Sequence, residues 1–379
     1  MTDKMTSATV AINTMAAEKK ARGEEVYNFA AGDPIVYPHP HIVEAVTAAV
    51  RSEMVLYPPV AGLVQLRKDA AHWVNHHYKC SFSSKNTLVT AGGKFALFAV
   101  LQLMLKPGDE VLIPSPYWVS YPQIVTLFQG CPVIIASSAK QGWKLTPEDL
   151  KKSITPRSKI LILNNANNPT GSLYQREELQ ELLQIAHKSG LFVISDEVYS
   201  EIVYDGRTFF SCAEEQSDRV LIVQSCSKNF GMTGWRIGFA FGPQDLIESM
   251  NAIQSQSTTG ASLVSQWAAV AALKHDVEIS SGIKRIMQHR RDVFFDTFNQ
   301  LFKCSLEKPA SALYAFVPLS IFSSTKNSAE FCTELMEKHN IACVPGSAFG
   351  QEGYMRMAFS EVEEMLQQGL KMLYKAVSL

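Results

Sequence analysis

The sequence has almost no excess charge of either sign: 35 Lys and Arg stand against 36 Asp and Glu, a formal net charge of -1. That balance leaves nothing to neutralise a nucleic-acid backbone, and no polybasic stretch addresses an anionic membrane surface. No apolar run approaches the length of a membrane span. The opening stretch MTDKMTSATVAINTMAAEKKARG lacks the apolar core of a secretory signal, so none is expected. The seven cysteines (Cys80, Cys131, Cys212, Cys226, Cys304, Cys332 and Cys343) are odd in number, scattered, and never in C-x-x-C spacing. Reduced thiols in a cytoplasmic protein are the expectation. His72 and His76 stand four apart on a helical pattern, but no H-E-x-x-H or carboxylate set accompanies them. They read as a solvated helix face, and no metal is expected. There is no internal repeat and no low-complexity linker. What remains is a chain with 46% apolar and 19% charged residues, ordinary for a globular protein whose partner is a small molecule.

What the sequence does contain is alternation. Short β-rich runs fall at Thr87–Thr90, Glu110–Pro114, Pro132–Ala136, Lys159–Leu163, Leu191–Ser195, Arg219–Gln224 and Ile237–Phe241. Several are almost wholly apolar, as buried parallel strands are when helices cover both faces of their sheet. Helical patterns lie between them. In REELQELLQIAHKSG, Leu179, Leu182, Leu183 and Ala186 share one face, and Gly190 marks the stop. In LTPEDLKKSI, Thr146 suits the cap and Pro147 the first turn. An α/β domain with a mostly parallel sheet is predicted over residues 41–285. A long helix over 278–302, strand-like stretches at Ala312–Pro318, Ile341–Val344 and Met355–Ala358, and a last helix predict a smaller α+β unit. That unit is expected to comprise residues 286–379 with the N-terminal segment 1–40.

Ligands of open α/β sheets sit beyond the carboxyl ends of the strands. Five polar clusters fall there: Gly92-Gly93-Lys94, Tyr117-Trp118, Asn167-Asn168-Pro169, Asp196 to Tyr199, and Ser225-Cys226-Ser227-Lys228. Lys228 follows an apolar strand in a loop with glycines at 231, 234 and 238. Desolvation lowers an amine pKa, and only a neutral amine adds to a carbonyl. Taken alone, it reads as a surface lysine. Ser225–Lys228 also fits S-x-x-K, but the S-D-N and K-T-G partners of that motif do not occur. Asp196 ends a buried strand and needs a cation, either a ligand's or a structural Arg or Lys. Gly92-Gly93 before a helix offers backbone N–H groups to a phosphate, though it is neither G-x-G-x-x-G nor a Walker A sequence. Arg236 and Arg356 are flanked by apolar residues and need anionic partners, ligand or protein.

Taken in order, NNPTG (Asn167–Gly171), SDEVY (Ser195–Tyr199), SCSKNFGMTGWRIG (Ser225–Gly238) and MRMAF (Met355–Phe359) resemble the class I/II aminotransferases of pyridoxal-phosphate fold type I. Within that family the resemblance is to the bacterial aspartate aminotransferases of the subgroup that includes prephenate aminotransferases, and it runs from about Ser7 to the C-terminus. It implies a seven-stranded large domain plus a small one, and pyridoxal 5'-phosphate as cofactor. Lys228 would carry the cofactor and move the α-proton. Asp196 would pair with the pyridine nitrogen, Tyr199 and Asn168 with the ring oxygen, and Trp118 would stack on the ring. Gly93, Lys94, Ser225 and Arg236 would hold the phosphate, the first two through backbone N–H groups, and Tyr57 would reach the partner subunit's phosphate in a homodimer. Arg356 would clamp the substrate α-carboxylate, assisted by Asn168, Trp118 and the backbone of Gly32.

The resemblance implies ping-pong transfer between an amino acid and a 2-oxo acid. The stretch SQSTTGASLVSQ has no arginine to bind a distal carboxylate. Lys94 matches a lysine that does so in the subgroup, with Ser7 or Thr9 assisting, so aspartate or glutamate is the expected donor. Aminotransferases for aromatic amino acids, alanine, kynurenine or prephenate, and carbon–sulfur lyases, are the alternatives. Three stretches depart from the family pattern: Gly32-Asp33-Pro34 for G-E-P, Ser311-Ala312-Leu313-Tyr314 for G-A-F-Y, and Ala166 where proline is common. A regulatory cofactor-binding module is disfavoured, because the first forty residues carry no basic helix-turn-helix.

Overall fold

The computed structural model describes residues 8–52, 55–323 and 325–378. In chain order its strands are β1 (Tyr27–Asn28), β2 (Thr87–Thr90), β3 (Glu110–Ser115), β4 (Cys131–Ala136), β5 (Ser158–Asn164), β6 (Phe192–Asp196), β7 (Val220–Ser225), β8 (Gly238–Phe241), β9 (Tyr314–Pro318), β10 (Ile341–Ala342), β11 (Val344–Pro345) and β12 (Tyr354–Ala358). The seven runs predicted for the α/β unit are seven strands of one sheet, in the order β2-β8-β7-β6-β5-β3-β4. Every pairing is parallel except those of β8, which runs antiparallel to both β2 and β7.

The apolar runs follow from burial on both faces. Leu88, Ile113, Ile162, Ile194 and Val223 pack into one core cluster. Their immediate neighbours Val89, Leu112, Leu163, Val193 and Ile222 pack into another. Successive side chains of a strand point to opposite faces, so each face needs its own apolar set. Helices supply the cover. Arg176–Lys188 buries Leu179, Leu182, Leu183 and Ala186 as its periodicity predicts. Pro147–Ser153 is capped by Thr146 Oγ1, which accepts from the Asp149 amide.

The C-terminal part builds a second layer. β9, β11 and β12 form an antiparallel sheet in the order β11-β12-β9. The predicted strand Ile341–Val344 is instead two short strands that separate at Cys343, one pairing with β12 and the other, parallel, with β1. The start of β9 is also later than predicted, because Ala312 adopts the left-handed region (φ 62°) and ends any extended run there. The β1–β10 pairing ties the N-terminal segment to this layer. The helix Asp276–Phe302 joins it to the large sheet, and Phe294 packs edge-on to Phe29 and Phe295. Among the described residues no helix is long and apolar enough to cross a membrane. All seven cysteines are free thiols.

Candidate active site

The carboxyl ends of the parallel strands open onto a cavity of about 500 Å³. It collects all the polar clusters that the sequence singles out: Gly93 and Lys94 after β2, Trp118 after β3, Asn168 after β5, Asp196 and Tyr199 at the end of β6, and Ser225 and Lys228 after β7. The second layer closes it with Arg356 from β12 and Tyr314 from β9, and the segment after β1 adds Gly32 and Asp33. Arg236 lines it as well. Tyr57 does not; it is 90% exposed on the surface of this chain. Ser7 lies outside the described residues, whereas Thr9 lines the cavity from the N-terminal helix.

Lys228 sits on a one-turn helix, Cys226–Asn229, rather than in the expected loop. Ser225 Oγ caps it, accepting from the Ser227 amide at 3.1 Å. The lysine ammonium donates to the Gly32 carbonyl at 2.6 Å and lies 3.5 Å from Asp33 Oδ1. Burial nevertheless pushes its pKa down to about 8. Asp33 opposes the shift, and the positive charges of Arg356 and Arg236 reinforce it. The approach of Gly32 depends on its lack of a side chain: a Cβ there would stand 2.4 Å from the Tyr314 hydroxyl.

Two adjacent carboxylates at the end of β6 have different environments. Glu197 is fully satisfied by the Ser195 hydroxyl (2.7 Å), the Ser211 hydroxyl (2.6 Å) and the Cys212 amide (2.9 Å). Asp196 faces the cavity and accepts from the Tyr121 hydroxyl at 2.6 Å, but its Oδ1 has no hydrogen-bond partner. No Arg or Lys pairs with it among the described residues, so the structural-cation alternative is absent there. Burial raises its carboxyl to about 6, against the lowering effect of Tyr121 and of the nearby Val198 amide.

Two buried arginines make a parallel contrast. Arg291 is held bidentately by Asp205 at 2.7 Å on both nitrogens and contacts Asp292 as well. Arg356, equally buried, has no carboxylate partner among the described residues. Its guanidinium donates to Asn168 Oδ1 (3.1 Å) and the Ala30 carbonyl (2.7 Å), lies over the Tyr314 and Phe349 rings, and leaves Nε unpartnered. A desolvated cation without an anion is a standing cost, relieved when an anionic ligand arrives.

The helix Gly93–Met104 begins at the cavity, which its first residues Gly93 and Lys94 line, and the N–H groups of a helix's first turn have no partner within the helix. Gly92 precedes it at φ +86°, and a Cβ there would stand 2.5 Å from Arg236 Nη2. Arg236 is itself left-handed (φ 54°) and donates to the Thr233 carbonyl. Lys94 Nζ lies 4.8 Å from the centroid of the Trp118 ring, with no carboxylate partner among the described residues. Desolvation, then the Arg236 charge, lowers its pKa.

Sequence reasoning missed Tyr121, Asn164 and Asn13, and gave Tyr314 no role although it noted the motif. Tyr314 bonds the Tyr199 hydroxyl at 2.7 Å, and Asn164 Oδ1 receives the Asn168 amide at 2.8 Å. No helical spacing pointed to Tyr121, because Tyr117, four residues earlier, lies before the helix Ser120–Leu127.

A family model, aminotransferase class I and II, matches residues 24–373. The chain belongs to that family. It is 34% identical over 375 residues to an aspartate aminotransferase of Geobacillus stearothermophilus, covering 97% of this chain and 95% of that protein. It is 34% identical over 368 residues to an aspartate/prephenate aminotransferase of Thermus thermophilus, covering 96% and 94%. Among solved structures, the aspartate aminotransferase of Thermus thermophilus with maleate superposes with a TM-score of 0.92 at 34% identity, covering 98% of this chain and 96% of that one. An aspartate aminotransferase of Thermotoga maritima gives 0.91 at 29% identity, covering 100% and 99%. The seven-stranded sheet, the smaller layer and the transaminase reading of the resemblance all hold for this aminotransferase.

Proposed function

We propose that the cavity takes pyridoxal 5'-phosphate and that the enzyme moves an amino group between aspartate or glutamate and a 2-oxo acid such as 2-oxoglutarate. The observation that carries the cofactor assignment is the lone Oδ1 of Asp196, a buried acceptor awaiting a donor, in the same cavity as a lysine whose pKa is lowered to about 8. Asp196 Oδ1 would accept from the protonated ring nitrogen of such a cofactor. The N-terminus of Gly93–Met104, the Ser225 hydroxyl and the Arg236 guanidinium all border the cavity, a donor set that suits a phosphate, and the tight fit at Gly92 suits close backbone approach. Tyr199 and Asn168 offer polar atoms, and Trp118 a ring face.

When bound, this cofactor supplies an electron sink for the pair left at the substrate α-carbon, and it carries the amino group between the two half-reactions. The chain's residues do the rest. Arg356 holds the α-carboxylate beside Asn168 and orients the α-hydrogen. Lys228 Nζ, neutral in a large fraction of molecules near pH 8, removes the α-proton and returns it. Lys94, unpaired at the cavity wall, takes the distal carboxylate, and the buried, unpartnered Thr9 hydroxyl assists it. The names of the relatives and the maleate complex of one of them support a dicarboxylic substrate.

Two further readings accompany this one. Tyr57, exposed on this chain, completes the cofactor site of a second copy in a homodimer. The large cofactor-binding domain spans residues 41–285, and residues 1–40 with 286–379 form the small domain of a cytoplasmic enzyme.

The test is a half-reaction screen. Aspartate and glutamate each bleach the visible band of the cofactor-loaded enzyme, and borohydride fixes the cofactor to the wild-type chain but not to Lys228→Ala. Conversion by neutral amino acids alone would remove the dicarboxylate assignment, and fixation in Lys228→Ala would remove the lysine.

A further inference from the structure

Outside the residues that line the cavity, three imidazoles meet one carboxylate. His39 and His41 flank the start of the helix Pro40–Ser52, and His275 and Glu278 mark the start of Asp276–Phe302. His39 Nε2 lies 3.5 Å from Glu278 Oε1, and His41 Nε2 lies 3.5 Å from Glu278 Oε2. One donor atom from each of His39, His41 and Glu278 lies within 4.8 Å of the others. We propose that these three side chains bind a divalent transition-metal ion of the zinc class, with the remaining position open to water.

The spacing separates ligation from hydrogen bonding. Histidine–carboxylate hydrogen bonds elsewhere in this chain close to 2.9 Å (His77 to Asp276) and 3.0 Å (His289 to Glu363). The contacts of Glu278 with His39 and His41 stay open at 3.5 Å, and its contact with His275 Nδ1 at 4.0 Å. His39 Nδ1 is buried with no partner at all. Two ligand atoms about 2.0–2.1 Å from one ion at the tetrahedral angle stand about 3.4 Å apart, which is the separation seen twice here. Two imidazoles and one carboxylate are borderline donors that suit zinc, cobalt or nickel better than calcium or magnesium. The His275 ring stacks on that of His41 (3.8 Å between centroids, 21° between planes) and fixes its orientation. Glu278, with 60% of its side chain exposed, leaves an entry path.

The two elements are far apart in sequence, so a bound ion would be a crosslink. It would pin the end of the segment that leads from Gly32 and Asp33, the residues in contact with Lys228. The site lies apart from the amino-transfer machinery and stands whether or not the substrate assignment above does.

The experiment is calorimetric titration of zinc chloride into the cofactor-loaded enzyme, with thermal melts in parallel. One ion per chain is expected, with a rise in Tm. Binding should weaken at least ~10-fold in His41→Ala and in Glu278→Gln, which remove ligands from different elements, while Cys131→Ser binds as the parent does. His39→Gln replaces either variant that fails to fold without zinc. No stoichiometric binding overturns the proposal, and so does binding of equal strength in the parent and both ligand variants.

Discussion

Arg356→Lys tests the site where the structure is most explicit. Arg356 is buried, has no carboxylate partner among the described residues, and is positioned by Asn168 Oδ1, the Ala30 carbonyl and two aromatic faces. Lysine keeps the charge but loses the planar fork, so it cannot hold those two oxygens and grip a carboxylate bidentately at once. A hydrogen bond involving a charged group contributes about 1.5–3 kcal/mol, and losing the bidentate grip costs about 3 kcal/mol. That corresponds to a fall of roughly 100-fold in kcat/KM. Both half-reactions should fall alike, because the amino acid and the oxo acid present the same α-carboxylate. Stopped-flow traces of the cofactor band measure each half-reaction with aspartate and with an amine that lacks the carboxylate. The amine should lose little. A loss of the same factor for both would show that the substitution acts through the fold or the cofactor, and the clamp reasoning would be wrong.

Lys94→Ala should raise KM for aspartate far more than for alanine in steady-state assays, and equal effects would sink the distal-clamp role. Burial sets the Lys228 pKa near 8, so its amine is charged below that pH and neutral above it. Capture of pyridoxal phosphate by the apoenzyme should therefore speed up as pH rises through about 8 and then level off. An inflection near the ordinary lysine value of about 10.4 would contradict the desolvation argument. Gly92→Ala forces a Cβ to 2.5 Å from Arg236 Nη2 at φ +86°. The strain is on the order of 1–3 kcal/mol, so equilibrium dialysis should find cofactor retention weakened by about 5- to 100-fold, and parental retention would refute the cradle geometry.

The sequence by itself determined the sheet. The seven runs sit within a residue or two of the strands β2 to β8; strands covered on both faces, as β3, β5 and β7 are, carry near-continuous apolar runs, a local pattern, whereas β4 at the sheet edge is largely exposed. It also placed the five polar clusters that border the cavity, though not Tyr121, Asn164 or Asn13, since strand ends are where an α/β sheet exposes backbone and side chains to a ligand. Ile341–Val344 looked like one strand because a run of four apolar residues carries no record of which partner each end will meet; β12 and β1 decided that. Tyr121 and Tyr314 were unremarkable as aromatic residues until folding brought them to Asp196 and Tyr199. Only the tertiary structure distinguished Arg356 from Arg291, or Asp196 from Glu197, because a charge is satisfied or left waiting by residues distant in the chain. The same is true of His39, His41 and Glu278, whose chemistry exists only where two helix starts converge.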